Sequence, residues 1–197
     1  MGNIVDAHPL TPSRFADLER LFAAKGCSFA RSCWCMDYRV VGRPKAPAGV
    51  APADYRRAML RELADNRPAP GLIGYNSANE PVGWVAVGPR DAFVRLARSP
   101  VMGPVDDLPV WSIVCFVVPS DLRGSGIARA LINHAIAYAR KYAAVAIEAY
   151  PIDKKGRRAQ PQWLWHGTRS MFDAAGFEEV ARRKPERPIM RLDLRWR

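Results

Sequence analysis

Nine consecutive residues without a charge, Val110 to Val118 (VWSIVCFVV), constrain the fold more than any other stretch. The run is too short to cross a bilayer and has the length of a strand buried on both faces, which places it at the centre of a sheet. A turn (PSDL) and the loop RGSGIA follow. From Ile127 the apolar residues recur at Leu131, Ala135, Tyr138 and Tyr142, a helical spacing, while Arg129, Asn133 and Arg140 lie elsewhere around the axis. The loop is therefore a strand-to-helix corner.

At such a corner the first backbone amides of the helix have no intrahelical partner and sit at the positive end of its dipole, so an anion is the natural occupant. Gly124 and Gly126 carry no side chain to keep a phosphate away, and Arg123 adds a full charge beside them. The choice of phosphate is narrowed by what is missing. No Gly-Lys-Ser/Thr completes a nucleotide P-loop, and Arg129 stands where a dinucleotide fingerprint has its third glycine.

What remains is Arg123-x-x-Gly126-x-Ala128 behind a hydrophobic strand, and here the chain resembles the GNAT superfamily of N-acetyltransferases, whose acetyl-CoA motif is Arg/Gln-x-x-Gly-x-Gly/Ala. A second segment, MFDAAGFEEVARR from Met171 to Arg183, looks like that family's last helix, glycine stop and following strand. The CWCM run followed by Tyr38 and Arg39 looks like one branch of small bacterial members. The resemblance covers roughly Leu72 to Leu194, and the first seventy residues match less clearly. It implies a mixed α/β (α+β) fold: a mostly antiparallel central sheet with one splayed parallel strand pair, flanked by helices. It also implies acetyl-CoA as co-substrate and an amine of a small molecule or protein as acceptor. By position in the motif, Phe116, Val117, Val118, Arg123, Gly124, Ser125, Gly126, Ile127, Ala128 and Phe172 are the expected cofactor-binding residues. The expected organisation is a single domain over residues 1–197, with 1–70 on the acceptor side and 71–197 holding the cofactor.

A chain of 197 residues suffices for one well-buried core, and with 49% hydrophobic and 25% charged residues it is globular, not disordered. The formal charge of +11 suits any polyanion, the CoA phosphates included, so charge alone does not separate a nucleic-acid binder from a CoA enzyme. No zinc-finger spacing, RNA-recognition aromatic motif or heptad beside a basic stretch supports the nucleic-acid reading. No stretch approaches membrane length and no signal peptide opens the sequence, so a cytoplasmic protein with no membrane partner is expected, with room for a homodimer. Cys27, Cys33 and Cys35 are crowded together without a nearby histidine, and Cys115 lies in the proposed central strand; reduced, partly buried thiols and no metal are expected.

In chain order, Asn3 to His8 alternates as a first strand. Thr11 then caps a helix with Pro12 at its first position and Phe15, Leu18 and Phe22 on its buried face. The stretch Cys27 to Arg39 reads as a loop in which Trp34 either plugs the core or walls the acceptor site. Trp34, Tyr38, Arg39 and Trp84 are the candidate acceptor pocket. A helix from Pro52 to Asn66 buries Tyr55, Met59 and Leu63 and leaves Arg56, Arg57 and Arg61 on a solvated face. Residues 71–75 and 82–87 make a hairpin, and the long connection from Pro89 to Pro109 is expected to lie over the acceptor cleft. Ala144 to Tyr150 is a strand, parallel to the central one in the fold the chain resembles. Lys154, Lys155, Arg157 and Arg158 form either a solvated loop or a contact to a CoA phosphate or an acidic partner. A helix near Thr168 to Ala175 stops at Gly176, and strands at 178–183 and 189–194 close the chain.

For chemistry, backbone amides of Phe116 to Val118 are implied as the groups that polarise the thioester. Glu148 is either the general base, facing the slot by alternation, or a carboxylate paired with an arginine. Asp37 and Asp153 are weaker alternatives, and His134 reads as structural. Many family members carry a tyrosine four residues before the glycine stop to protonate CoA. Here that residue is Phe172, which cannot donate, so Tyr150 or solvent takes the role; a thiolate of pKa ~8.5 tolerates either. The runner-up readings are a non-catalytic acyl-CoA sensor and a basic nucleic-acid-binding module.

Overall fold

The computed structural model describes residues 6–42, 45–153 and 165–195. The basic stretch Lys154 to Arg158, Trp163 and the start of the proposed first strand lie outside them. One seven-stranded sheet runs in the order β1-β2-β3-β4-β5-β7-β6. Its strands are β1 (Asp6–Pro9), β2 (Gly71–Tyr75), β3 (Pro81–Pro89), β4 (Trp111–Val117), β5 (Ala146–Ala149), β6 (Glu178–Lys184) and β7 (Arg187–Asp193). All neighbours are antiparallel except β4 and β5, the expected parallel pair. β4 is buried along its whole length, as its uncharged sequence requires.

The helices are α1 (Phe15–Ala23), α2 (Ser28–Cys33), α3 (Pro52–Leu63), α4 (Val94–Ala97), α5 (Ile127–Lys141) and α6 (Arg169–Asp173). α5 buries Ile127, Leu131, Ile132, Ala135, Ile136, Tyr138 and Ala139 against one face of the sheet. Gly83 permits that approach, since a Cβ there would come within 2.7 Å of Ile127. Tyr142, expected on the buried stripe, is 36% exposed, because α5 is already ending where it stands. The other face packs Phe15, Leu18, Phe22, Trp34, Leu60, Ile73, Trp84 and Val114 into one cluster. Among the described residues no helix is long and apolar enough to cross a membrane.

Three expectations need correction. Thr11 does not cap α1: its hydroxyl bonds Ser13 Oγ at 2.9 Å, and a 3-10 turn at Pro12–Arg14 precedes the helix. The Cys27 to Arg39 stretch contains α2, whose six residues are too few to display a helical period; Trp34 and Cys35 end it in left-handed conformations (φ 48° and 49°). The basic residues of α3 are not merely solvated. Arg57 pairs with Glu19, Arg56 donates to the Ser32 carbonyl at 2.9 Å, and Arg61 lies over the Phe15 ring at 5.2 Å. These contacts dock α3 onto α1 and α2 around the buried Leu60.

Candidate active site

The site begins with a mismatch in pairing. Along the β3 edge of β4, Ala86 faces Cys115 but Val87 faces Ile113, so Val114 is an extra, bulged residue. Alternation fails there, and Val114 and Cys115 both turn to the cluster that holds α1. A bulge bends its strand and tightens its twist. On the opposite edge β4 pairs with β5 only from Trp111 to Ile113, against Ile147 to Ala149. Beyond Ile113 the two strands part, and the edge of β4 from Val114 onward is left without a β5 neighbour.

The chain then turns through Pro119 and a 3-10 turn at Ser120–Leu122. Gly124 and Gly126 adopt φ of 83° and 87°, and α5 starts at Ile127 with no side chain capping it and no acidic residue in its first turn. A Cβ at either glycine would meet no atom within 4 Å, so both face open space. The first-turn amides of α5 thus lie without a side-chain cap at the positive end of a fifteen-residue helix, an arrangement that favours anions. Arg123 supports this corner instead of reaching freely into it: Nε donates to the Val118 carbonyl at 3.2 Å and Nη2 to the Gly26 carbonyl at 2.9 Å. Ser125 Oγ donates to the Leu122 carbonyl at 2.6 Å.

The end of β4, the corner and the segment from Trp165 to Met171 border one cleft of about 640 Å³. Its walls include Phe116, Val117, Val118, Arg123, Gly124, Gly126, Ile127 and Ala128, which the fold brings together from the strand end and the helix start. Cys27, Phe29, Trp165 and Met171 complete it from outside the motif. A second cavity of about 550 Å³ adjoins it, lined by Asp37, Tyr38, Arg95, Arg98 and Met102 among others. Phe29, Cys33, Cys115 and Trp165 line both, so the two spaces meet beside the β4 bulge. Phe29 and Trp165 stack at 4.4 Å over that junction. The long connection after β3 supplies Arg95, Arg98 and Met102 to the second cavity.

The remaining expected site residues fall elsewhere. Trp34 stacks on Phe15 and packs on Phe22 with 7% exposure, so it is a core plug and not an acceptor wall. Trp84 is fully buried and its indole N–H donates to Cys35 Sγ at 3.2 Å. Arg39 lies over the Phe93 ring and donates to the Pro70 carbonyl at 2.8 Å; burial lowers its pKa to about 10. Of the four acceptor candidates, Tyr38 alone lines the second cavity. Phe172 is fully enclosed, packed on Phe116 and Phe177, and supports the cleft wall from behind.

Glu148 and Tyr150 also need correction. The Glu148 carboxylate is fully buried and both oxygens are engaged. Oε2 accepts from Arg90 at 2.5 Å and from the Tyr150 hydroxyl at 3.1 Å, and Oε1 accepts from Arg191 at 2.6 and 3.0 Å. Strand register explains the arrangement, since Ser112, Glu148 and Arg191 are cross-strand partners on β4, β5 and β7. The second alternative for Glu148, pairing with arginine, is the one observed. Tyr150, 1% exposed, shares its hydroxyl between Ser112 Oγ at 2.9 Å and Glu148. Burial, and then the Glu148 charge, push that phenol upward. Neither group is accessible to a substrate. Asp153 pairs with Arg169 and Arg182, and Asp37 lines the second cavity.

Sequence reasoning passed over one polar pair. Tyr38 Oη lies 3.0 Å from His166 Nε2, and His166, 3% exposed, also meets the Val114 backbone. The run Trp165-His166 after a basic stretch was its signal, but 128 residues separate the partners. Burial, and then the Arg187 guanidinium, push the His166 imidazole down to about 3 from 6.5. The unfolded chain therefore binds more protons between those values, and stability is lost as pH falls through that window. His166→Gln is expected to remove about 2 kcal/mol of the loss between pH 7 and 5. Urea unfolding of both proteins at the two pH values checks this; identical pH dependence would mean the imidazole is hydrated.

Residues 32–161 match the model of the acetyltransferase (GNAT) family. Among solved structures, arylalkylamine N-acetyltransferase 2 from Aedes aegypti superposes with a TM-score of 0.57 at 12% identity, over 98% of this chain and 99% of its own. A GNAT family acetyltransferase from Listeria monocytogenes 4b F2365 gives 0.55 at 12% identity, over 96% and 94%. Ribosomal-protein-alanine N-acetyltransferase from Brucella melitensis gives 0.53 at 16% identity, over 96% and 100%. At such identities these likenesses show a shared fold. No curated protein sequence matches the chain.

Proposed function

The chain belongs to the acetyltransferase (GNAT) family, and on that premise we propose that it is a cytoplasmic enzyme that transfers the acetyl group of acetyl-CoA to an amine of a small molecule or protein. What carries the reading is the cleft between the unpaired end of β4 and the segment from Trp165 to Met171, floored by the uncapped start of α5. Its two regions suit the two ends of the cofactor. Exposed amides and open-faced glycines suit a pyrophosphate, and the apolar gap lined by Phe116, Val117, Ile127 and Met171 suits a pantetheine arm.

In this reading the amine, neutral, enters from the second cavity and attacks the thioester carbonyl where the cavities meet. Backbone amides on the free edge of β4, from Phe116 to Val118, are placed to polarise that carbonyl, and one such donor contributes roughly 3 kcal/mol in other enzymes. Holding thioester and amine in adjoining spaces supplies the remaining, orientational part of the rate.

The reading is tested by thermal unfolding. At a hundred times its Kd, acetyl-CoA is expected to stabilise the protein by about 2.7 kcal/mol, a Tm rise of about 5 to 11 °C for a domain of this size. Inorganic phosphate at equal concentration should shift Tm far less. A protein that ignores acetyl-CoA and is stabilised by an oligonucleotide at low salt is a nucleic-acid binder instead.

A further inference from the structure

The site as described lacks a proton carrier. Acyl transfer from a thioester moves one proton from nitrogen to sulfur, but Phe172 has none to give, and Glu148 and Tyr150 are sealed in a network with Arg90, Arg191 and Ser112. Resting on the acetyltransferase reading, we propose that Tyr38 is the catalytic proton relay of this enzyme and that His166 is the residue that positions it.

Location comes first. Tyr38 and Met102 line the second cavity with Cys115, and Cys115 also lines the cofactor cleft. The Tyr38 hydroxyl therefore stands in the space where an amine approaches the thioester. His166 packs edge-on against Tyr38, with ring centroids 5.5 Å apart and 73° between planes, and follows Trp165, which borders both spaces.

The hydrogen bonds around the phenol leave it room to relay. The His166 ring meets the Val114 backbone and Tyr38 Oη, the latter 3.0 Å from Nε2, and so holds the phenol in place. The Tyr38 hydroxyl also reaches Met102 Sδ, 3.9 Å away. A thioether is a weak acceptor, so a stronger acceptor entering the cavity can displace it. Burial raises the phenol to about 12, which keeps it protonated at neutral pH.

The step balances without a buried charge. The amine nitrogen attacks the carbonyl carbon, the N–C bond forms, and the C–S bond breaks with its electron pair leaving on sulfur. The proton lost from nitrogen passes to the free lone pair of Tyr38 Oη as the phenolic proton passes to sulfur. Tyr38 ends neutral, as it began, and His166 keeps its own proton while fixing the phenol's orientation.

The test compares the wild-type protein with Tyr38→Phe, His166→Phe and His166→Gln. Acetyl-CoA binding is read by calorimetry and acetyl transfer by release of CoA thiol. The acceptors are tryptamine, spermidine, an alanine-terminated peptide and hydroxylamine, the last small enough to need no pocket. Tyr38→Phe is expected to keep acetyl-CoA affinity and acceptor KM within about twofold while kcat falls about 10²-fold or more, the usual cost of losing a positioned acid or base. His166→Phe should lower kcat about tenfold with KM unchanged, and His166→Gln, whose amide can take the place of Nε2 as donor or acceptor, should recover most of that. Wild-type kcat in Tyr38→Phe overturns the relay. Equal kcat in both His166 variants reduces that residue to packing and overturns its positioning role. Binding of acetyl-CoA by the wild type without transfer to any acceptor overturns the relay and catalysis together. Absence of acetyl-CoA binding in the wild type overturns the acetyltransferase reading itself.

Discussion

Gly126→Glu is expected to weaken acetyl-CoA binding by at least about a hundredfold while leaving a folded protein. Two effects add at this position. The backbone φ of 87° is left-handed, and a side chain there costs about 1–2 kcal/mol of strain. A Cβ at Gly126 meets nothing within 4 Å, so the carboxylate projects into the open cleft beside the first-turn amides of α5. It then occupies the anion seat and repels phosphate oxygens, a like-charge contact of roughly 4 kcal/mol at 4 Å near a protein surface. Gly126→Ala separates the two effects, since it brings the strain and one methyl group but no charge, and its affinity should fall less than about tenfold. Calorimetric titration of the three proteins with acetyl-CoA reads the difference. Unaltered affinity in the glutamate variant would mean that the corner is only a turn.

Glu148→Gln is the second large effect, and it falls on stability. Arg90 and Arg191 are only 11% and 12% exposed and both direct guanidinium N–H groups at this one carboxylate. Removing its charge leaves two enclosed cations, of which, among the described residues, only Arg191 keeps a second anionic partner, at Asp106. Breaking a buried pair in this way costs about 3–5 kcal/mol, a Tm lower by about 6 to 20 °C. Replacing one partner of a buried ion pair is costly even where the pair itself contributes little net stability, because the survivors lose their compensation. Thermal unfolding at pH 7 checks the expectation. A variant with wild-type Tm and a shifted acid limb in its pH-rate profile would restore Glu148 as a base. The network also ties β5 and β7 to the connection after β3, since Arg90 donates to the Met102 carbonyl and Arg191 to Asp106. That connection forms one wall of the second cavity, so loosening the network should blunt acceptor binding as well.

The strand-to-helix corner was legible because its information is local. An uncharged run, two glycines and a helical period lie within the single stretch from Val110 to Tyr142, and each fixes backbone geometry through sterics and unpaired amides, not through distant neighbours. Eight of the ten residues expected there line one cleft, and the other two, Ser125 and Phe172, brace the corner and the wall. The acceptor side was not legible, for the opposite reason. Trp34, Arg39 and Trp84 are residue types that suit a binding pocket and a core equally, and only contact with Phe15, Phe93 and Cys35 decides for the core. Glu148 shows the same ambiguity: alternation gave its face of the strand, but Arg90 and Arg191 arrive from 58 and 43 residues away.

By itself, then, the sequence determined the strand, the corner and the uncapped helix start, because those depend on backbone conformation and on side chains a few residues apart. Only the tertiary structure decided which polar groups can touch a substrate. It sealed Glu148 and Tyr150 inside an ion-pair network and set Tyr38 against His166 at the meeting of two cavities. The physical reason is that burial and hydrogen-bond partnership are properties of surroundings. Those surroundings are assembled from segments far apart in the chain, whose pairing no local pattern records.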